Sequence, residues 1–226
     1  MIVLTVDQRG STSRGDLVPQ VLELLGDRTT DGGRPRAGVR VAFDRTVGDE
    51  VQGVLDGDDG AALAVAVVAD LLREGGWSVG VGVGVVHEPL PAASRAASGP
   101  AFVRAREAVE DAKRRGHVVP VAVVGTAEEP GATIAADAQA LLRLLGAVAA
   151  RRSAAGWEAV DTLGRHEASA APQRETAEAL GVSEQAVSQR LRTALWAEEQ
   201  AVRPLAARLL RAADAAAGAA DGAGED

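Results

Sequence analysis

The sequence predicts an α+β sandwich followed by an all-α domain, and three observations carry that prediction. Short β-branched runs alternate with helix-spaced segments over about the first 125 residues, whereas only helical spacing appears from residue 132 onward. The chain has 226 residues, a length that suits two small domains better than one. Its composition, 46% hydrophobic and 25% charged, is that of a globular protein and too apolar for a disordered one. Three Trp, two Phe and no Tyr leave the core to Val, Leu and Ala. The absence of Cys excludes disulfides, Cys-ligated zinc, iron–sulfur clusters and a thiol nucleophile.

Residues 2–6 form an apolar run that stops at Asp7, so they read as a strand leading into the polar loop 8–14. Apolar residues at 17, 18, 21, 22, 24 and 25 mark a helix over 16–25, and 29–37 is a Gly-, Arg- and Pro-rich loop. Segments 39–43 and 51–55 form a hairpin with Gly48-Asp49-Glu50 at its tip. A helix over 60–73 ends at Gly75-Gly76. In the strand 77–86, Gly80, Gly82 and Gly84 alternate with valines, leaving one face without side chains, open to a helix or a ligand. A helix over 99–115 and a strand over 118–124 complete a β-α-β-β-α-β-α-β order, which predicts a sheet with its helices on one face.

The remainder reads as a connecting helix over 131–153, a helix-turn-helix domain over 154–212 and a disordered acidic tail over 213–226. Within the second domain the helices fall at 156–163, 173–180, 184–195 and 200–212. No apolar stretch exceeds about ten residues, short of a membrane span, and the N-terminus lacks a basic leader, so a cytoplasmic protein with no membrane partner is expected.

Charge is uneven. Residues 1–150 hold 15 basic and 20 acidic side chains, 151–211 hold 9 and 8, and 212–226 hold four acids. A net charge of −8 argues against general nucleic-acid affinity, which needs clustered Lys and Arg. Residues 151–211 are then the place for a small DNA-reading module.

Residues 177–187 have the layout of a helix-turn-helix. Ala177 is small where two helices cross, Gly181 suits the left-handed end of the first helix, and Val182 plugs the turn. Ser183 caps the second helix, which Val187 and Leu191 anchor to the core. Glu184, Gln185, Ser188, Gln189 and Arg192 are left pointing outward, as candidates to read base edges and phosphates of double-stranded DNA. Glu184 argues mildly against, because phosphates repel a carboxylate. The plainer alternative is a helical hairpin used for packing.

Asp7 ends a strand and Asp49 tops the neighbouring hairpin, so the two carboxylates are candidates for Mg²⁺. The loop Arg9–Ser13, with the hydroxyls of Ser11 and Thr12, is a candidate phosphate cradle. The plainer reading is that Asp ends strands and Gly-Asp makes turns.

Gly48-Asp49-Glu50-Val51-Gln52-Gly53, then Gly80-Val81-Gly82-Val83-Gly84, then Gly99-Pro100-Ala101 and Ala105-Arg106, resemble the SatD family over about residues 1–125. Many relatives in that family continue into a helix-turn-helix, as this chain does. SatD-like sequences look in turn like the palm of class III nucleotide and diguanylate cyclases. That kinship implies a ferredoxin-like, cyclase-palm-like sandwich, metal-binding roles for Asp7 and Asp49, and phosphate neutralisation by Arg106. The departures are clear: Val103 stands where cyclases carry an Asn, and Arg106 is one residue out of register. No purine-recognition pair is evident. The resemblance therefore implies a degenerate palm that senses a nucleotide-class ligand or pairs two copies.

Asp56-Gly57-Asp58-Asp59-Gly60 looks like a calcium loop, but Val67 stands at its twelfth position and the segment reads as a turn with a helix cap. Lys113-Arg114-Arg115 reads as a solvated helix end, and His87 and His117 as lone strand-edge residues. The leading expectation is a homodimeric, DNA-binding transcription regulator with no certain cofactor. The alternative is an active Mg-dependent nucleotidyl cyclase or transferase that uses Asp7 and Asp49.

Overall fold

The computed structural model describes residues 1–114 and 116–223. Seven strands, nine α-helices and a short 3-10 turn (Ser94–Ala96) are present among them: β1 (Ile2–Gln8), α1 (Ser11–Arg14), α2 (Val18–Thr29), β2 (Thr30–Asp31), β3 (Arg34–Pro35), β4 (Val39–Arg45), β5 (Glu50–Leu55), α3 (Gly57–Glu74), β6 (Trp77–Val83), α4 (Pro100–Ala112), β7 (Val121–Val124), α5 (Gly131–Arg151), α6 (Ala154–Arg165), α7 (Pro172–Leu180), α8 (Glu184–Thr193) and α9 (Trp196–Ala223). The protein is α+β: a mixed five-stranded sheet with helices, and a C-terminal helical region.

Strand order in the main sheet is β4-β5-β1-β6-β7. β1 lies at its centre, antiparallel to β5 and β6, while β6 and β7 are parallel. A parallel pair needs a crossover, and α4 supplies it. Register sorts the side chains by face. Ile2 pairs with Leu55 and Val83, and Val6 with Val51 and Val79, so one face is a continuous apolar surface under α2, α3, α5 and α9. On the other face Val3, Thr5 and Asp7 stand opposite Gly82, Gly80 and Ser78.

That second face corrects the expectation that all helices lie on one side. α4 covers it, bringing Ala101, Ala105, Ala108 and Ala112 down onto Gly80, Gly82 and Ala122. A Cβ on Gly82 would stand 2.2 Å from the carbonyl oxygen of Ala101, and one on Gly80 would stand 2.3 Å from the Val109 nitrogen. The bare face read from the alternating glycines is thus filled by a helix backbone.

Two further corrections concern the C-terminal half. The helix expected to connect two domains, α5, belongs to the sheet's core: Ala135, Ala138, Leu142 and Leu145 are buried against it. An 18-residue window of the 21-residue α5 has a mean hydropathy of 1.3, long and apolar enough to cross a membrane, although Asp137 and Arg143 interrupt it and no uninterrupted apolar stretch in it passes the expected ten residues. The tail expected to be disordered is, through residue 223, the end of α9; residues 224–226 lie outside the described ones. Ala206, Leu210, Ala213 and Ala217 recur at helical spacing and bury one stripe against the sheet domain. Asp214 accepts from the Gly84 N–H at 3.2 Å, and Asp221 holds the Arg104 guanidinium at 2.6 and 2.8 Å. Acidic, Ala-rich composition resembles disorder, but here Asp214 and Asp221 are each held by specific donors.

Helices α6, α7 and α8 close around a separate small core of Ala159, Val160, Ala177, Val187 and Leu191. Its joint to the sheet domain is largely polar: Arg73 grips Asp161 through two 2.6 Å bonds, and buried Arg152 donates to the Ala194 carbonyl and to Glu199. Both guanidinium groups also stack on Trp157, at 3.9 and 4.3 Å from its centroid.

Candidate functional site

The helical module is built from a run of local rules. Gly181 sits at φ 63° and ends α7, and the Val182 N–H reaches back to the Ala177 carbonyl at 3.0 Å, closing a left-handed cap. Ser183 Oγ accepts from the Ala186 N–H at 3.2 Å and starts α8. Val187 and Leu191, one turn apart, face inward and are buried. What remains outward is fixed by that choice: Glu184, Gln185, Gln189 and Arg192 are exposed and Ser188 is half-buried. Arg192 Nη1 donates to Gln189 Oε1 at 2.9 Å, which ties the two side chains together on the outer face.

Two arginines on this module went unremarked in the sequence. Arg190 is spent on Glu158 at 2.9 Å and braces α8 against α6, whereas Arg174, on the first turn of α7, is exposed with only a 3.8 Å contact to Glu178. The expected helix over 184–195 stops at Thr193. Leu195 turns the chain at φ 53°, and α9 starts at Trp196 rather than at residue 200.

The acidic end of the sheet differs from its expectation. Asp7 lies on the face covered by α4, and Lys113, just past that helix, places its Nζ 2.9 Å from Asp7 Oδ2 and 2.8 Å from Glu110 Oε1. The reading of Lys113-Arg114-Arg115 as merely a solvated helix end is corrected for Lys113; Arg115 lies outside the described residues. Burial raises the Asp7 pKa above its ordinary value; the Lys113 hydrogen bond opposes that rise, and the negative charges of Asp49 and Glu50 add to it. Burial disfavours the Lys113 ammonium, but its bonds to Glu110 and Asp7 outweigh the cost, and its pKa is raised. Ser78, opposite Asp7 in the register, is fully buried, and its hydroxyl has no hydrogen-bond partner among the described residues.

The remaining candidates do not gather at Asp7. Asp49, Ser11 and Thr12 share an open cleft of about 480 Å³ with Gln8 and Arg45, on the far side of the β1 end. The alternation of β1 explains the split: Gln8 points toward α2, donating to the Gly15 carbonyl at 2.6 Å, so its neighbour Asp7 points the other way. Arg9 is exposed, with its backbone N–H bonded to the Gly76 carbonyl. Arg106 is exposed on α4 and approaches Glu50 to 4.0 Å. No group of three or more His, Asp or Glu among the described residues is arranged to hold a metal ion. The expected Asp7–Asp49 pair therefore does not fit Mg²⁺ as it stands, because the Lys113 ammonium already neutralises Asp7.

The calcium-like segment is a helix cap, as read: Asp56 Oδ1 accepts from the Gly57 N–H at 2.8 Å at the start of α3. Comparison of the chain with protein-family models, with curated proteins and with solved structures returns no match.

Proposed function

We propose that this chain is a DNA-binding transcription regulator whose α7–α8 pair reads the major groove. One observation carries the reading: Val187 and Leu191 lock the inner face of α8, so Gln185, Gln189 and Arg192 are presented together on the outside. Gln reads adenine edges, and Arg reads guanine or holds phosphate. The regulator acts as a homodimer in the cytoplasm, on double-stranded sites whose halves lie about 34–36 Å apart.

The sheet domain is read as a ferredoxin-like, cyclase-palm-like unit that senses a ligand or pairs the copies. Support comes from the β1-α2-β4-β5-α3-β6 order, with the hairpin beside β1 and both α2 and α3 on one face. Lys113 on Asp7, and Val103 where a cyclase carries Asn, weigh against catalysis.

Selection from a random DNA library with the full chain tests the function. An enriched, two-fold sequence is expected; no enrichment overturns the regulator.

A further inference from the structure

α3 and α9 pack side by side, and each carries a second stripe next to the one it buries. On α3 the stripe is Asp58, Ala62 and Ala66, with buried Val65 beneath them; on α9 it is Gln200, Pro204, Ala207, Arg208 and Arg211, at helical spacing. Between the stripes runs a crevice of about 750 Å³, within the range of small-molecule sites. Its floor is apolar and owes its depth to alanines where larger side chains would fill it.

The rim is basic, in a chain whose net charge is −8. Arg203, Arg208 and Arg211 face Asp58 alone among the lining acids. Arg203 is held by Glu199 at 2.6 Å, and Arg211 by Asp214 at 2.8 Å and Asp58 at 3.3 Å. Arg208 is exposed and makes no ion pair among the described residues. Pro204, inside α9, has no N–H, so the Gln200 carbonyl lacks its helical donor and the backbone ladder is broken at the crevice.

We infer that the α3–α9 crevice is a binding site for an amphiphilic carboxylate. The apolar body lies over Ala62, Val65, Ala66 and Ala207, and the carboxylate takes the Arg208 fork. One uncommitted guanidinium over an apolar floor matches a monoanion rather than a polyphosphate. The consequence reaches the module, because α9 starts at Trp196, which packs in the module's core, about 12 Å along the helix from Pro204. That the occupant tunes DNA binding rests on the function proposed above; its binding does not.

Calorimetric titration of the full chain with sodium octanoate, and with octylammonium chloride as the same tail of opposite charge, tests the site. Saturable one-to-one binding of octanoate and none of octylammonium are expected. Arg208→Glu should weaken octanoate at least tenfold. Ala66→Phe, which fills the floor, should abolish binding at unchanged helical circular dichroism. No saturable octanoate heat, equal binding of octylammonium, or indifference to Arg208→Glu overturns the site. A chain that selects a DNA sequence but ignores octanoate refutes the crevice alone; one that binds octanoate but no DNA supports the crevice and refutes the regulator.

Discussion

The helical module and the acidic end of the sheet are both small polar surfaces on an apolar support, yet they are assembled in opposite ways. The module's surface comes from one contiguous stretch, and each position follows from a cap, a turn or a helical period. The sheet end draws Asp7 from β1, Asp49 and Glu50 from a hairpin and Lys113 from beyond α4, so its charge balance depends on how a crossover helix lands. A contiguous motif carries its geometry with it. A surface gathered from distant segments can acquire a counter-charge that no local pattern announces.

The largest expected effect breaks the module's support. Leu191→Ala should cost about 2–5 kcal/mol, through lost burial and a residual cavity, and thermal melts should show the module loosening first. An unchanged melt would mean that α8 presents a different face.

Next come the outward side chains. Gln185→Ala and Gln189→Ala should each remove about 1–3 kcal/mol of discrimination between sites without lowering the melting temperature. Arg192→Ala should instead weaken all sequences together and lower the salt slope by about one. Competition binding at several salt concentrations separates these outcomes.

Lys113→Met probes the other region. Without the ammonium, Asp7 loses its neutralising partner while Asp49 and Glu50 still hold the potential negative there, so Mn²⁺ should bind the variant, at Asp7 and its register partner Glu50, more tightly than the parent. At tenfold saturation, linkage stabilises by about 1.4 kcal/mol, readable as a rise in melting temperature. Equal metal responses in the two proteins would show that Lys113 does not act as the cation.

The smallest effect is one of pH. Burial disfavours the Asp221 carboxylate, but the Arg104 hydrogen bonds and the Val85 N–H outweigh it, and its pKa falls below the ordinary 3.8. The stability it contributes is therefore present above pH 3.8 and is lost as the pH falls through the lower folded value. Amide exchange over residues 213–221 should quicken in that acid window in the parent, and Asp221→Asn should remove the dependence.

What could be read from the sequence alone was whatever follows from near neighbours along the chain. The order of the five strands of the main sheet and the helices α2, α3 and α4 between them (though not α1 or the short β2–β3 pair, which read as loops), the turn at Gly181, the cap at Ser183, the inward pair Val187 and Leu191 and the Asp56 helix cap all rest on spacings of a few residues, where side chain and backbone meet by covalent geometry. Tertiary structure alone decided which face α4 covers, because a crossover helix has two sides to choose from and only the glycine–alanine contact selects one. It also turned the acidic tail into the end of α9, since Asp214 and Asp221 find their donors at Gly84 and Arg104, more than a hundred residues away. The same holds for Lys113, whose place beside Asp7 is set by the packing of a helix across the sheet and leaves no trace in local spacing.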